Sequence, residues 1–284
     1  MYAVTGATGK LGRLVIEGLL DHAPADHIVA AVRNPVKAQD LAQRGVLVRE
    51  ADYKRPETLR TAFDGVDNLL LISSTEVDGR LPLHRAVLEA AQRAGVSRLA
   101  YTSMLHADTS VAKLAIEHRL TEQAIASSGL PAVILRNGWY IENHMAAVPA
   151  ALQHGAFIGA AKAGRFASAS RNDYAAAAVK VLTSEGHLGK IYELAGDRAF
   201  TLAELAAEVA RQSGKAVVYR DLEPLTYAKA LQDFGLPPDL AALLADADVA
   251  ASQGALYDSS GTLAHLIGRP TTPWESLAAA ALRA

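Results

Sequence analysis

The sequence predicts an α/β fold, a doubly wound parallel sheet followed by a smaller C-terminal α/β lobe. Three observations carry that expectation. Strand-like apolar runs and helix-like amphipathic runs alternate through six βα units by residue 135, and alternation of that kind builds a parallel sheet with helices on both faces. The fourth apolar run, Leu69-Leu70-Leu71-Ile72, has no polar residue, as a central parallel strand buried on both sides requires. The first run, Tyr2-Ala3-Val4-Thr5, passes through a glycine-rich turn straight into the periodic segment Leu14-Val15-Ile16-Glu17-Gly18-Leu19-Leu20.

That turn reads Gly6-Ala7-Thr8-Gly9-Lys10-Leu11-Gly12. Glycines at this spacing between a strand and a helix suit a dinucleotide. A side chain in the turn would block the pyrophosphate, whose charge a helix N-terminus favours, and the third glycine lets the helix lie close to the strand. The whole stretch from Gly6 to Gly12, with Ala7, Thr8, Gly9, Lys10 and Leu11, is therefore assigned to cofactor binding in a Rossmann-type domain. The second strand covers 27–32 and ends in Arg33. An acidic residue there would bind the adenosine ribose diol, whereas Arg33 offers a permanently charged planar donor for a 2′-phosphate, so NADPH is the expected cofactor.

The third strand covers 46–51, and Asp52 after it either faces the adenine or caps the turn before Pro56 opens a helix. The fourth strand runs into Ser73-Ser74-Thr75. Ligands of open α/β sheets gather at the carboxyl ends of the strands, which places these three residues beside the nicotinamide ribose. A helix over 81–94 stops at Gly95, the fifth strand covers 98–102 and ends at Ser103, and a further helix runs to about Ser127. The sixth strand, Ala132-Val133-Ile134-Leu135, completes the expected dinucleotide domain, residues 1–135.

Residues 136–284 are read as a mainly substrate-binding lobe interleaved with the sheet. Its first segment, Arg136-Asn137-Gly138-Trp139-Tyr140-Ile141-Glu142-Asn143-His144, leaves a strand's carboxyl end and is dense in rings and amides. Asn137, Gly138, Trp139, Tyr140, Ile141 and Glu142 are expected to form the floor under the nicotinamide. Tyr140 and Asn143 are the candidate catalytic donors; His144 is a third polar group there, read as structural or rim-exposed rather than as a donor. Residues 155–170 are small and irregular, as a lid over a site would be. A helix over 174–182, a strand at 191–194, a capping box at Thr201-Leu202-Ala203-Glu204, a short strand at 217–219, helices over 227–234 and 239–250, and a second capping box at Thr272-Pro273-Trp274-Glu275 complete the pattern.

Composition excludes several function classes. The formal net charge is -2 with both signs interspersed, which gives no basic face for nucleic acid or anionic lipid. There is no cysteine, hence no disulfide, thiolate metal site or cysteine nucleophile, and no metal is expected. No apolar run approaches a membrane span, and a leader of ordinary length would consume the glycine turn, so a cytoplasmic protein is expected. The oligomeric state stays open, a homodimer included.

A short-chain dehydrogenase pairs Tyr-x-x-x-Lys so that the lysine lowers the pKa of the phenol for proton exchange with an alcohol. Here the slot reads Thr109-Ser110-Val111-Ala112-Lys113, and a threonine hydroxyl is too weak an acid for that task. With the glycine turn, Arg33, this substitution, Tyr101-Thr102-Ser103, Leu135 to Asn143, Phe157-Ile158-Gly159-Ala160-Ala161 and Tyr192-Glu193-Leu194-Ala195-Gly196, the chain resembles the NmrA-like branch of the atypical short-chain dehydrogenases, above all its quinone-reducing bacterial members. The resemblance covers essentially the whole chain. It implies an NADPH-binding domain, a smaller lobe and a small-molecule quinone substrate, reduced by hydride from the nicotinamide without flavin. Two alternatives stand beside it: a redox sensor that binds the dinucleotide without turnover, and a reductase of another carbonyl substrate.

Overall fold

The computed structural model describes residues 1–74, 76 and 79–283. The strands are β1 Tyr2–Thr5, β2 Ile28–Val32, β3 Leu47–Glu50, β4 Asn68–Leu71, β5 Arg98–Met104, β6 Ala132–Asn137, β7 Ala156–Gly159, β8 Ile191–Leu194 and β9 Val218–Asp221. Seven form one sheet in the order β3-β2-β1-β4-β5-β6-β8, in which every pairing from β3 across to β6 is parallel. Strands β7 and β9 pair in parallel in a separate two-stranded sheet. The order 3-2-1-4 makes the gap between β1 and β4 the switch point of a doubly wound sheet, where ligands bind beyond the carboxyl edge. The expected fold class is borne out.

By contacts the chain forms two compact units. The first comprises Met1–Met104, Glu117–Asn137 and Arg171–Tyr192, and the second Leu105–Ile116, Gly138–Ser170 and Glu193–Ala284. The sequence reading sets one boundary at 135/136, whereas the contact-defined units exchange segments at five places.

In the first unit the strand residues alternate between faces with period two. Register aligns Ala3 with Val29 and Leu69, Leu69 with Leu99, Leu71 with Tyr101, and Tyr101 with Ile134. These residues share one buried cluster with Leu59, Phe63, Val87, Leu88 and Ile125 from the covering helices. Burying each large apolar side chain contributes roughly 1.5–3 kcal/mol, so this face contributes strongly to the stability of the unit. Close packing also brings in the helix Arg171–Thr183: a Cβ on Gly18 of the helix Lys10–Leu20 would stand 2.8 Å from Val179 Cγ2.

In the second unit the Thr201 capping box forms as expected, with Thr201 Oγ1 accepting from Glu204 N at 3.1 Å and Glu204 Oε2 accepting from Thr201 N at 2.7 Å. The lid reading of 155–170 is corrected. Ala156–Gly159 is β7, and Ala160, Ala161, Phe166, Ala167, Ser168, Ala169 and Ser170 are buried. The small residues serve tight packing. A Cβ at Gly164 would lie 2.6 Å from the Ala251 carbonyl oxygen, and one at Gly159 2.7 Å from Leu202 Cδ1.

Candidate cofactor site

The glycine turn builds the centre of the site. Gly6 follows β1 with φ +59°, a left-handed conformation that side-chain-bearing residues rarely adopt. Its carbonyl accepts the Gly9 amide at 2.8 Å, closing the turn. Gly9 itself is extended, φ −74°, so its lack of a side chain matters for space alone. At Gly12 a Cβ would sit 2.5 Å from the Gly6 oxygen and 2.8 Å from Ala7 Cα. Any larger residue there forces strand and helix apart. The helix Lys10–Leu20 begins without a capping side chain and without an acidic residue in its first turn. Its first amides and the positive end of its dipole are thereby left for an anion.

A cleft of about 800 Å³ opens over this turn. Gly6, Thr8 and Gly9 line it at the centre, Arg13, Arg33, Asn34, Lys37, Asp52, Tyr53 and Lys54 on the β2–β3 side, and Ile72, Ser73, Ser74, Glu76 and Leu83 on the β4 side. Of the residues expected to bind the cofactor, Gly6, Thr8, Gly9, Arg33, Ser73 and Ser74 therefore come together in one concavity. Ala7, Leu11 and Gly12 are buried behind the turn and Lys10 is exposed beside it. Thr75 lies outside the described residues.

The basic corner is organised by a short helical turn. The Asn34 side chain accepts the Val36 amide at 3.0 Å and so starts the 3-10 turn Pro35–Ala38. The Arg13 guanidinium is fixed by an ion pair with Asp40 and by donating to the Lys37 carbonyl at 3.0 Å. Arg33 and Lys37 are exposed and form no ion pair with a described residue. Two cations are thus left for a phosphate, the group in which NADPH differs from NADH. Asp52 lines the cleft, and its Oδ1 accepts the Lys54 amide at 3.0 Å in the turn before Pro56.

On the other side, the exit of β4 is held by hydroxyls of neighbouring strands. Ile72 N donates to Thr5 Oγ1 at 3.0 Å and Ser73 N to Thr102 Oγ1 at 2.9 Å. Behind them lies a buried polar layer. Tyr101 Oη meets His118 Nδ1 at 2.8 Å, and His118 Nε2 accepts from Arg80 at 2.8 Å. Burial, reinforced by the Arg80 charge, holds His118 well below the usual imidazole range, and burial also lowers Arg80 and raises Tyr101. Two buried polar atoms at the carboxyl edge, Ser74 Oγ after β4 and Asn137 Oδ1 at the end of β6, have no hydrogen-bond partner among the described residues. Unmatched buried polar atoms beside a cleft fit a polar ligand.

Gly138, Trp139, Tyr140, Ile141, Glu142 and Asn143 belong to the second unit, whereas Asn137 belongs to the first. Their backbone is firmly tied: Gly138 N donates to Leu194 O at 2.8 Å, Ile141 N to Ala169 O at 3.0 Å and Asn143 N to Tyr140 O at 3.0 Å. Ile141 is buried, Trp139 and Tyr140 are half-buried and Asn143 is exposed. His144 packs edge-on against Phe166 and Phe200 and contacts Ser168 Oγ at 3.3 Å, and burial lowers its pKa to about 3. It is structural, as expected. Lys113 opens the helix Lys113–Ser128 with its amide donating to Asp246 Oδ2 at 2.8 Å while its side chain is exposed. Among the described residues no cluster of three or more potential ligands could hold a metal ion, and no helix is long and apolar enough to cross a membrane.

Residues 6–185 match the profile of a family described as NAD(P)H-binding. Quinone oxidoreductase 2 of Escherichia coli K12 is 58% identical over 272 residues, 96% of this chain and 95% of that protein. The chain belongs to the NAD(P)H-binding, NmrA-like family. Among solved structures of this family, the NADPH-dependent quinone oxidoreductase QOR2 from E. coli in complex with NADPH superposes with a TM-score of 0.96 at 56% identity over 99% of both chains. A Citrobacter triphenylmethane reductase complexed with NADP(H) gives 0.95 at 39% identity, over 99% of this chain and 100% of that one.

Several cleft residues carry no local sequence signal. Arg13 sits on a helix face that looks merely solvated, and Lys37 depends on the path of the turn after Asn34-Pro35. Tyr53, whose hydroxyl donates to the Ile72 carbonyl at 3.3 Å, depends on a strand-to-strand neighbour. The Asn34-Pro35 dipeptide, a turn signal at the strand end, was the one local cue available.

Proposed function

We propose that the protein reduces quinones with NADPH. The observation that carries this is the cleft that joins the glycine turn to Arg33 and Lys37, two cations without an ion pair to a described residue, in a chain of the NAD(P)H-binding family whose E. coli relative is a quinone oxidoreductase. When bound, NADPH supplies a hydride, which in this reading passes to the quinone directly and without flavin. The first-turn amides of the helix Lys10–Leu20 bind the pyrophosphate, Arg33 and Lys37 bind the 2′-phosphate, and Ser73 and Ser74 meet the ribose at the reacting end. Asn137 to Glu142 form the floor, and Tyr140 and Asn143 position the quinone and donate to its developing oxyanion.

A quinone that accepts hydride becomes a hydroquinone anion stabilised by its own ring. Catalysis can therefore consist mainly of positioning and donor placement, without a tuned acid. That fits Thr109 in the tyrosine slot. Lys113→Ala is accordingly expected to keep quinone turnover within about tenfold of the parent, less than 1.4 kcal/mol of barrier. Turnover lower by several orders of magnitude with NADPH binding intact would reveal an acid-base role. The reaction is placed in the cytoplasm.

The test follows NADPH absorbance with benzoquinone and naphthoquinone, using protein freed of flavin. Steady oxidation is expected, with a primary isotope effect in single turnover from one of the two 4-deuterated NADPH diastereomers. Oxidation that requires added flavin, or no isotope effect from either face, would defeat direct transfer.

A further inference from the structure

We propose that His84 is a positioning residue for the dinucleotide: it fixes the Ser74 peptide and so places the Ser74 hydroxyl at the cofactor. The proposal rests on reading the cleft as the NADPH site.

The three residues that leave β4 each give their amide to a side chain. Thr5 and Thr102 take the first two, and His84 Nε2, from the helix Arg80–Ala94, takes the amide of Ser74 at 3.1 Å. A backbone N–H can only donate. Nε2 therefore carries the lone pair and Nδ1 the proton, which is donated to Thr121 Oγ1 at 3.0 Å, and Thr121 in turn donates to the Glu117 carbonyl at 2.9 Å. The row has one consistent direction, which assigns the tautomer. Both ring nitrogens are used, so His84 has no site left for proton exchange with a substrate.

The imidazole is fully buried and gripped edge-on by two rings, Tyr101 at 5.5 Å and the cleft residue Tyr53 at 6.2 Å. Burial and then the Arg80 charge lower its pKa to about 3. At neutral pH the ring is therefore uncharged, and its Nε2 is free to accept from Ser74. Ser74 Oγ is buried without a partner among the described residues, although the backbone that carries it is fixed. A hydroxyl held rigid and left unmatched in a cleft is preorganised for a ligand.

Calorimetric titration with NADPH, with thermal melting as the control for folding, tests the assignment. The parent protein is expected to bind; failure to bind would defeat the cofactor reading itself. His84→Leu should weaken NADPH binding at least about tenfold, about 1.4 kcal/mol, while His84→Gln, which can restore an acceptor at the Nε2 position, stays within about threefold. Ser74→Ala should weaken it as well, and the Ser74→Ala/His84→Leu double variant should bind no worse than His84→Leu alone. Equal losses in the Leu and Gln variants, or additive losses in the double variant, would overturn the positioning role while leaving the cofactor site standing. Nitrogen-15 shifts of the His84 ring in the parent protein give a readout that needs no variant to fold. A neutral ring protonated at Nδ1 is expected from pH 5 to 8, and a charged or Nε2-protonated ring would overturn the proposal.

Discussion

Arg33→Asp is expected to weaken NADPH at least tenfold more than NADH. Arg33 is exposed at the end of β2, lines the cleft and forms no ion pair with a described residue, so its removal breaks nothing in the protein itself. What is lost is a charge-assisted pair with the 2′-phosphate, worth about 1.5–3 kcal/mol, which corresponds to roughly ten- to 150-fold. The new carboxylate adds repulsion toward the phosphate and offers the NADH ribose diol an acceptor. Lys37 stays in place and Arg13 remains bound to Asp40, so residual NADPH affinity should survive and fall further with added salt. Titrations of both dinucleotides into parent and variant measure the ratio. Equal loss for the two would mean that Arg33 does not contact the 2′-phosphate. A nearly unchanged melting temperature is expected, since the side chain forms no ion pair or hydrogen bond with a described residue.

What could be read from the sequence is what depends on near neighbours. The apolar runs of β1, β2, β4 and β5, the Gly6-Gly9-Gly12 spacing and the Thr201 capping box each fit within a dozen residues, and each appears in the structure. The clamp on the β4 exit was not legible. It joins Ile72 to Thr5 and Ser73 to Thr102, pairs 67 and 29 residues apart in sequence, and no local pattern marks a strand threonine as an acceptor for a particular amide. The return of Arg171–Thr183 to the first unit was hidden for a different reason. An alanine-rich helix carries little information about its partner, which the close approach of Gly18 to Val179 reveals. The segment 155–170 misled because small residues are shared by loops that move and by backbones that pack tightly. Gly159 and Gly164 are of the second kind.

Tyr140→Ala and Asn143→Ala are each expected to lower quinone turnover about ten- to a hundredfold, 1.4–2.7 kcal/mol of barrier, with a much smaller change in NADPH affinity. The reason is positional. Asn137 ends β6 at the carboxyl edge of the sheet, and the chain that follows carries the rings of Trp139 and Tyr140 and the amide of Asn143. Its backbone is secured independently of the two side chains in question. Gly138 is tied to Leu194, Ile141 is buried and bonded to Ala169, and the short helix Ile141–Met145 follows Tyr140 directly. Truncation should therefore leave the path of the chain intact and remove what the side chains do for the reacting complex, namely orient the quinone and donate to its oxygen. Tyr140→Phe separates the two contributions: retained turnover assigns the ring, and loss equal to that of the alanine variant assigns the hydroxyl. If both alanine variants turn over within threefold of the parent while NADPH still binds, the segment does not form the floor of the reacting site, and the donors for the quinone lie elsewhere.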